Sequence, residues 1–595
     1  MENKLISEIN IEDKVISHFL SFTLHQEFNA HHYFELHFNH DQMGMPGMIS
    51  LDDSRDFVGK TLTASFGYSA DKLQNFIGMV TRVELTQSHG YHGVIVVSGY
   101  SPTILIDRGE DLGSYLGKDL NTIVKLATSD VPSNDLRIVA NASREEEIDY
   151  IIQYRESDFA FLNRLSGEYY EWFYYDGRQL NFGKPDEHKE VALFYGRDVQ
   201  QLQYAIAVGP IKHKRFAYNP QKDEMLQSES TGQLQGSKDL SHAIQVSNSM
   251  YSKMFNQQSL IRVDTNSDIK SHVTNEEKAN ISELLKINAS GDNAELGIGN
   301  IAEITMSIRQ EIAFATESLG KFLITSISHT IDGTGKYHNT FEGLAATTER
   351  LLVKNFDKPS PDMQLADVLE NDDPQGQGRI KVRFKWQCQV NNPTEWLRVV
   401  SPNAGNGDMG KNRGFHVIPE VGDQVVVGFE EGNVARPVVM GSVYHSNSGD
   451  SSGFKNSDIK GLTSRKGSAL TFDDKGHHLE LGTNDKNYVK IENVGGTLTA
   501  ESVDKIVLTT GSSSITMTKE GTITLVGTNI NIIGTNSINA NAENEGIADT
   551  EEVPGPGLKV KIGTKSVTAV TTGGSTILTD ASAEHTLNGT HVNIN

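Results

Sequence analysis

Ile515-Thr516-Met517, Ile523-Thr524-Leu525 and Ile530-Asn531-Ile532 alternate apolar with polar residues, and Gly521, Gly527 and Gly534 separate them. Period-two alternation between glycine punctuation is the signature of short β-strands with one apolar face. The habit returns in Leu558-Lys559-Val560-Lys561-Ile562, Thr576-Ile577-Leu578 and His591-Val592-Asn593-Ile594-Asn595. All three tryptophans, Trp172, Trp386 and Trp396, lie before residue 400, so this Thr/Ser/Asn/Gly-rich stretch has little with which to cover its apolar row. A small sheet with an open apolar face is marginal in water. Two solutions follow: a single-chain parallel β-helix, or several chains wound into a β-prism. The short, irregular spacing of the Ile and Leu positions favours the intertwined chains and hence a homo-oligomer. A β-rich tail packing on the rest of one monomer is the plainer alternative. Residues 543–557 (ENEGIADTEEVPGPG) interrupt the pattern as an acidic loop.

Working outward, the 595 residues allow about three to five domains at roughly 100–200 residues each. Lys and Arg number 53 against 77 Asp and Glu, a net charge of −24, which argues against sequence-independent binding to nucleic acid. The single cysteine, Cys388, excludes an intrachain disulfide and a cysteine-based zinc cluster. No run of about 20 apolar residues offers a membrane span, and Met1–Asp13 lacks the basic start and apolar core of a signal peptide.

The chain divides into 1–360, a β-rich region with short helices; 361–446, about five strands of the size of an OB-fold; a linker, 447–464; and 465–595, the alternating stretch with its loop at 543–557. In the first region Phe34, Leu36 and Phe38 share one face of a strand. Asp119–Thr128, Ser157 onward (Ser157 as N-cap, Asp158 in the first turn) and Asp239–Phe255 read as helices. In the second, Arg379–Trp386, Glu395–Val400, Asp423–Glu430 and Pro437–Tyr444 read as strands.

Chemistry-bearing patterns are sparse. His25, His31, His32, His37 and His40 are dense, but they alternate between strand faces without carboxylate or cysteine at ligand spacing, and read as a polar face. Gly405–Gly410 with Lys411 approaches a phosphate loop, yet no helix follows and Asn412 stands where Ser or Thr would hold magnesium, so a barrel loop is expected. Asp372-Asp373, Glu145–Glu147 and Glu430-Glu431 read as solvated acidic turns. Cys388 reads as a structural thiol. His585 and His591 could meet on a symmetry axis only in an oligomer, and are read as structural. No catalytic, metal or cofactor site is expected, which leaves a hydrolase on a β-scaffold without its carboxylate pair or nucleophile.

Asp149–Phe159, reading DYIIQYRESDF, with Phe161-Leu162-Asn163-Arg164-Leu165, closely resembles the QYRESD…RL signature of the VgrG family of type VI secretion spikes. Gly78-Met79-Val80-Thr81, Ile327-Ser328-His329 and Tyr337–Glu342 are similar to hub strands of that family. Asp373-Pro374, Gly378–Phe384, Trp396–Val399, Pro419–Asp423 and Arg436–Tyr444 resemble its OB barrel, in family order. The resemblance covers nearly the whole chain, most strongly 76–183 and 362–445. It implies a mainly β homotrimer related to contractile-phage hubs and spikes: a phage-hub-like α+β N-terminal region, an OB-fold collar and a triangular intertwined β-helix needle. It further implies a hexameric Hcp-type tube protein at the hub, a PAAR-type tip protein at the C-terminal end, and baseplate proteins and effectors as partners. It implies assembly in the cytoplasm, secretion without a signal peptide, and transient membrane penetration without a span. A phage-type baseplate spike is the architectural alternative. No lysozyme fits between barrel and needle, and no catalytic extension is expected after Asn595. By position, Val592, Asn593, Ile594 and Asn595 are the expected tip platform.

Overall fold

Alternation organises the N-terminal half. The computed structural model describes residues 5–39, 55–87, 93–233, 236–259, 261–310, 313–408, 410–448, 456–483 and 486–535. The chain forms two units, Met1–Gly449 and Asp450–Asn595. In the first, the strand Tyr33–Asn39 places Phe34, Leu36 and Phe38 at 0% exposure, as their period-two spacing predicts. It pairs with Ser21–Glu27 on one side and Gly93–Tyr100 on the other, within a 13-stranded, mostly antiparallel sheet. Glycine enters where this sheet is tightest. A Cβ on Gly78 would lie 2.6 Å from the Phe34 ring, and one on Gly99 would lie 1.9 Å from the Met79 carbonyl oxygen. Both positions therefore exclude larger residues.

A buried polar chain stitches the two halves of the sheet. Gln26 bridges His32 and His329, Tyr337 bonds His329 Nδ1 at 2.7 Å, and Asn339 donates to the Tyr337 hydroxyl at 3.0 Å. Burial holds both histidines down at about 3, so each is neutral.

Three helices occupy the expected stretches. Asp119 caps Leu120–Ala127, Ser157 caps Asp158–Tyr169, and Ser237 caps Lys238–Met250. The third ends sooner than its sequence suggests, and Phe255 opens the strand Phe255–Gln258 instead. A fourth helix, Asn266–Ser282, goes beyond the sequence reading. Its inward face carries His272, Glu276 and Glu277 among the apolar residues, so its apolar periodicity is weak. Its legible signal is the capping box of Thr265 and Asp268.

Residues 207–284 form an insertion between two neighbouring strands, Val199–Ile206 and Leu285–Gly291, which close its neck through the Ile206–Leu285 pair. The insertion is pinned internally by Arg215, whose guanidinium donates to Glu276 at 2.8 Å through Nε. Although burial opposes it, this pairing and His213 hold Glu276 down at about 2.

The OB region is a four-stranded sheet ordered Lys381–Phe384, Gln364–Glu370, Gln424–Phe429, Pro437–Val443. The expected strand at Glu395–Val400 contributes only the isolated bridges Ile380–Leu397 and Val399–Val439.

Among the described residues, the second unit holds two antiparallel meanders. Five strands run from Ile459–Thr463 to Thr497–Glu501, and three from Lys505–Thr510 to Ile523–Val526. In the first meander the register aligns Leu470 with Leu481, Leu481 with Val489, and Ile491 with Leu498. The other face carries Glu480, Lys490 and Thr499 in line. In the second meander Leu508, Ile515 and Leu525 align. None of the described residues 456–535 is buried. Ile530–Ile532, expected as a strand, is not one, and the described strands end at Val526. The fold is thus mainly β with an α+β hub.

Candidate functional site

The QYRESD stretch lies on the strand Ile148–Glu156 and opens the helix Asp158–Tyr169. Its two faces do different work. Tyr150, Ile152 and Tyr154 enter one apolar core with Val368, Val382, Phe384, Trp386, Val425 and Val427 of the OB sheet. Phe384 and Trp386 stack at 4.2 Å within that core. The Tyr154 hydroxyl accepts the Asp362 amide at 3.2 Å and the Gln364 side chain at 3.1 Å, so it ties down the chain as it enters the OB sheet.

On the other face, Gln153 donates to Asp158 and to the Glu156 carbonyl, both at 3.0 Å, and accepts from the Tyr115 hydroxyl. A bulge follows, with Arg155 at φ 50° and the register shifted between Tyr154 and Glu156. The bulge re-aims the next side chain. Glu156 turns inward and receives Arg164 at 2.7 and 2.8 Å. Arg164 also donates to the Ile152 carbonyl at 2.8 Å and to Glu168 at 3.2 Å. Burial raises Glu168 against the pull of Arg164. Arg155 stays outside and reaches Asp362 at 3.0 Å. Ser157 accepts the Ala160 amide, and Asp158 is held by Arg108 at 2.8 Å, although burial still pushes its carboxyl up.

The strand paired with the signature is bonded to the segment that follows Phe384 in the OB region as well. The Ser114 amide donates to Val390 O at 2.9 Å, and its hydroxyl to Asn392 O at 2.7 Å. Tyr154 and Arg155 of the signature thus reach the chain entering the OB sheet, while Gln153, Glu156, Ser157 and Asp158 are bonded within the hub.

The other sequence candidates disperse. His31 bonds Thr103 at 2.7 Å and Asp107 at 3.0 Å, and burial lowers it despite Asp107. His25 meets Ser328, His37 meets Glu35, and His32 is buried. Among the described residues no group of three or more His, Cys, Asp or Glu is placed to hold a metal. Gly405–Gly410 belongs to a hairpin, Ala404–Gly407 with Gly410–Gly414, rather than to a strand–helix phosphate cradle. Cys388 Sγ sits 3.4 Å from Val390 O, and burial raises its thiol. Asp373 departs from the solvated turn expected of it. Its side chain is 2% exposed, and it pairs with Arg379 at 2.8 Å and accepts the Gln375 and Gln377 amides; Arg379 first, then these amides, hold its carboxyl far down although burial opposes them. His40, His585, His591 and Val592–Asn595 lie outside the described residues.

Residues 49–334 match the family model of the phage tail baseplate hub, and residues 364–444 that of the type VI secretion system/phage-baseplate injector OB domain. The chain thus carries a region similar to the phage tail baseplate hub and a second similar to the type VI secretion system/phage-baseplate injector OB domain. A 120-residue segment is 34% identical to the type VI secretion system spike protein VgrG4b of Pseudomonas aeruginosa, covering 18% of this chain and 14% of that protein. A 72-residue segment is 47% identical to VgrG5 of the same organism, covering 12% and 8%. The match thus spans a small part of either relative. Over 72 residues the chain is also 33% identical to the actin cross-linking toxin VgrG1 of Vibrio cholerae, covering 6% of that protein. Among solved structures, the lidless PdpA-VgrG complex has a chain of similar fold, with TM-score 0.52 and 10% identity over 84% of this chain and 98% of that one. The lidded Francisella complex gives 0.50 and 10%, over 84% and 80%.

Proposed function

We propose that three copies of this chain form the spike at the tip of a type VI secretion tube, which punctures target membranes without a chemical step. The single observation that carries the reading is the second unit. Most of its strands carry an apolar row on one face, yet no described side chain there is buried, and Leu481, Leu498 and Ile523 are 59%, 70% and 68% exposed. Covering each such side chain is worth roughly 1.5–3 kcal/mol. An extended row of this kind on a soluble particle needs an occupant. Two further copies of the same row supply one of matching shape and length, and winding them together removes free strand edges.

On this reading 1–360 is the hub facing an Hcp-type tube ring, 361–446 is the collar, and 465–595 is the needle. Its end, Val592–Asn595, takes a PAAR-type tip protein, and effectors ride on the assembly. The signature joint suits the role, because force applied along a spike must cross from hub to collar without a hinge. The segment relatives are secretion spikes, which favours this reading over a phage baseplate. Native mass spectrometry tests it: a particle of three times 65.4 kDa is expected, and a stable monomer overturns it. Deleting Gly589–Asn595 should abolish capture of the tip protein and leave the trimer; unchanged capture removes the tip assignment.

A further inference from the structure

The helix Asn266–Ser282 belongs to the insertion 207–284, and its first turns line a pocket of about 330 Å³ shared with the hub. That volume lies within the range of small-molecule sites, roughly 300–1,000 Å³. Among the described residues three cations line it, and each comes from a different segment. Arg144 follows the strand Arg137–Ala140, Arg350 follows the strand Tyr337–Ala345, and Lys270 stands on the helix itself.

Hydrogen bonding around the pocket leaves donors over. The Arg144 side chain is 19% exposed, and its buried Nε has no hydrogen-bond partner among the described residues. A guanidinium N–H donates and never accepts, so this atom calls for an oxygen. His272 is 4% exposed, lines the same pocket, and its Nε2 has no such partner either. Burial holds the ring at about 4 against the pull of Glu276, so it is uncharged and carries one N–H. The nearby carboxylates are committed elsewhere. Asp268 lies 3.5 Å from an outer nitrogen of Arg144, but its Oδ2 accepts the Asp264 amide, the Thr265 amide and the Thr265 hydroxyl. Glu171 takes Arg350 at 2.7 Å and the Ser143 amide at 3.1 Å. Glu146 also lines the pocket, but it is exposed and served by water.

We propose that this pocket binds a phosphate group, free or as the monoester of a small molecule, held by Arg144 and Lys270 and seated against His272. A phosphate offers acceptor oxygens in several directions, which suits donors arriving from a hub loop, a helix and an imidazole ring. A carboxylate offers two oxygens in one plane. The bound group would pin the insertion to the hub, because Arg144 and Arg350 belong to one and Lys270 and His272 to the other. The proposal goes beyond the spike reading and does not depend on it, since every residue it uses lies within one chain.

Calorimetric titration of inorganic phosphate into the full chain tests it, with chloride at equal ionic strength and acetate as comparison ions. Saturable phosphate binding is expected, together with a higher melting temperature of the hub. Lys270→Gln alters an exposed side chain and should weaken binding at least about fivefold, the worth of one net hydrogen bond. Lys270→Arg should restore it. Arg144→Gln should weaken it at least about tenfold, as for one hydrogen bond to a charged group. Glu146→Gln should tighten it, because a carboxylate beside an anion repels it. Glycerol phosphate separates the two sources: tighter binding than inorganic phosphate assigns the remaining volume to an organic part, and equal or weaker binding assigns the site to free phosphate. Phosphate that acts no differently from chloride overturns the site, as does binding that ignores Lys270→Gln or Glu146→Gln. Acetate bound as tightly as phosphate overturns the phosphate assignment.

Discussion

The strand Tyr33–Asn39 in the hub and the strand Tyr488–Glu492 in the second unit follow the same rule of alternation and meet opposite fates. Phe34, Leu36 and Phe38 are 0% exposed, whereas Val489 and Ile491 are 43% and 48% exposed. The pattern sets which face is apolar; it does not set what covers that face. In the hub the chain folds back and covers it. In the second unit the described meanders leave it open, which is why the trimer is a claim about that unit first and about the hub second.

The largest way to break the comparison is to charge the open face. Leu481→Asp with Ile491→Asp forfeits roughly 1.5–3 kcal/mol of burial per side chain, tripled across three copies. Native mass should fall from trimer to monomer, while the hub's denaturant midpoint stays in place. A trimer that survives would mean the face is covered by something else.

Next comes the hub's own buried joint. Arg164→Ala leaves Glu156 and Glu168 facing each other without their cation, a loss of about 3–5 kcal/mol. Urea unfolding of the full chain should show a hub transition at markedly lower urea, and an unmoved transition would deny the joint its structural role.

Acid sharpens the contrast further. His32 and His329 sit at about 3 and His272 at about 4 in the folded hub, against 6.5 when unfolded. The unfolded chain therefore binds more protons between those values. Hub stability is full above pH 6.5 and falls as pH drops through that window, by of order 1–2 kcal/mol per histidine at pH 5. Glu276, held at about 2 against 4.5, adds its own loss only below about pH 4.5. Thermal melts of the hub at pH 7 and pH 5 measure the first effect, and equal midpoints would contradict it. The smallest expected change is Ser157→Ala, which removes the cap of the signature helix and costs about 1 kcal/mol. It should be read as a small shift in the same hub transition.

Local chemistry made much of the architecture legible. Ser157 and Asp119 announced their helices because a cap acts within three residues. Phe34, Leu36 and Phe38 announced their burial because a strand face repeats every two. The helix Asn266–Ser282 escaped because charged and imidazole groups, Glu276, Glu277 and His272, occupy its inward face and are made tolerable by distant partners such as Arg215 and Thr231. Asp373 escaped for the same reason: its partner, Arg379, is visible nearby in the sequence, but the depth at which the pair sits is not. The QYRESD stretch was recognisable as a signature, whereas its task was not. That task depends on a bulge at Arg155 and on the OB sheet, more than 200 residues away, arriving against Tyr150, Ile152 and Tyr154.

The sequence by itself determined the strand-rich character, the polar and apolar faces, three of the helices and the family resemblance. Each of these is written in neighbours along the chain. Only the tertiary structure decided which apolar faces are closed, which carboxylates are buried, and that Arg144, Lys270 and His272, from the hub and from the insertion, meet around one pocket. Those outcomes are set by what distant segments bring into contact, and hydrophobic cover and ion pairing act through space without regard to position in the chain.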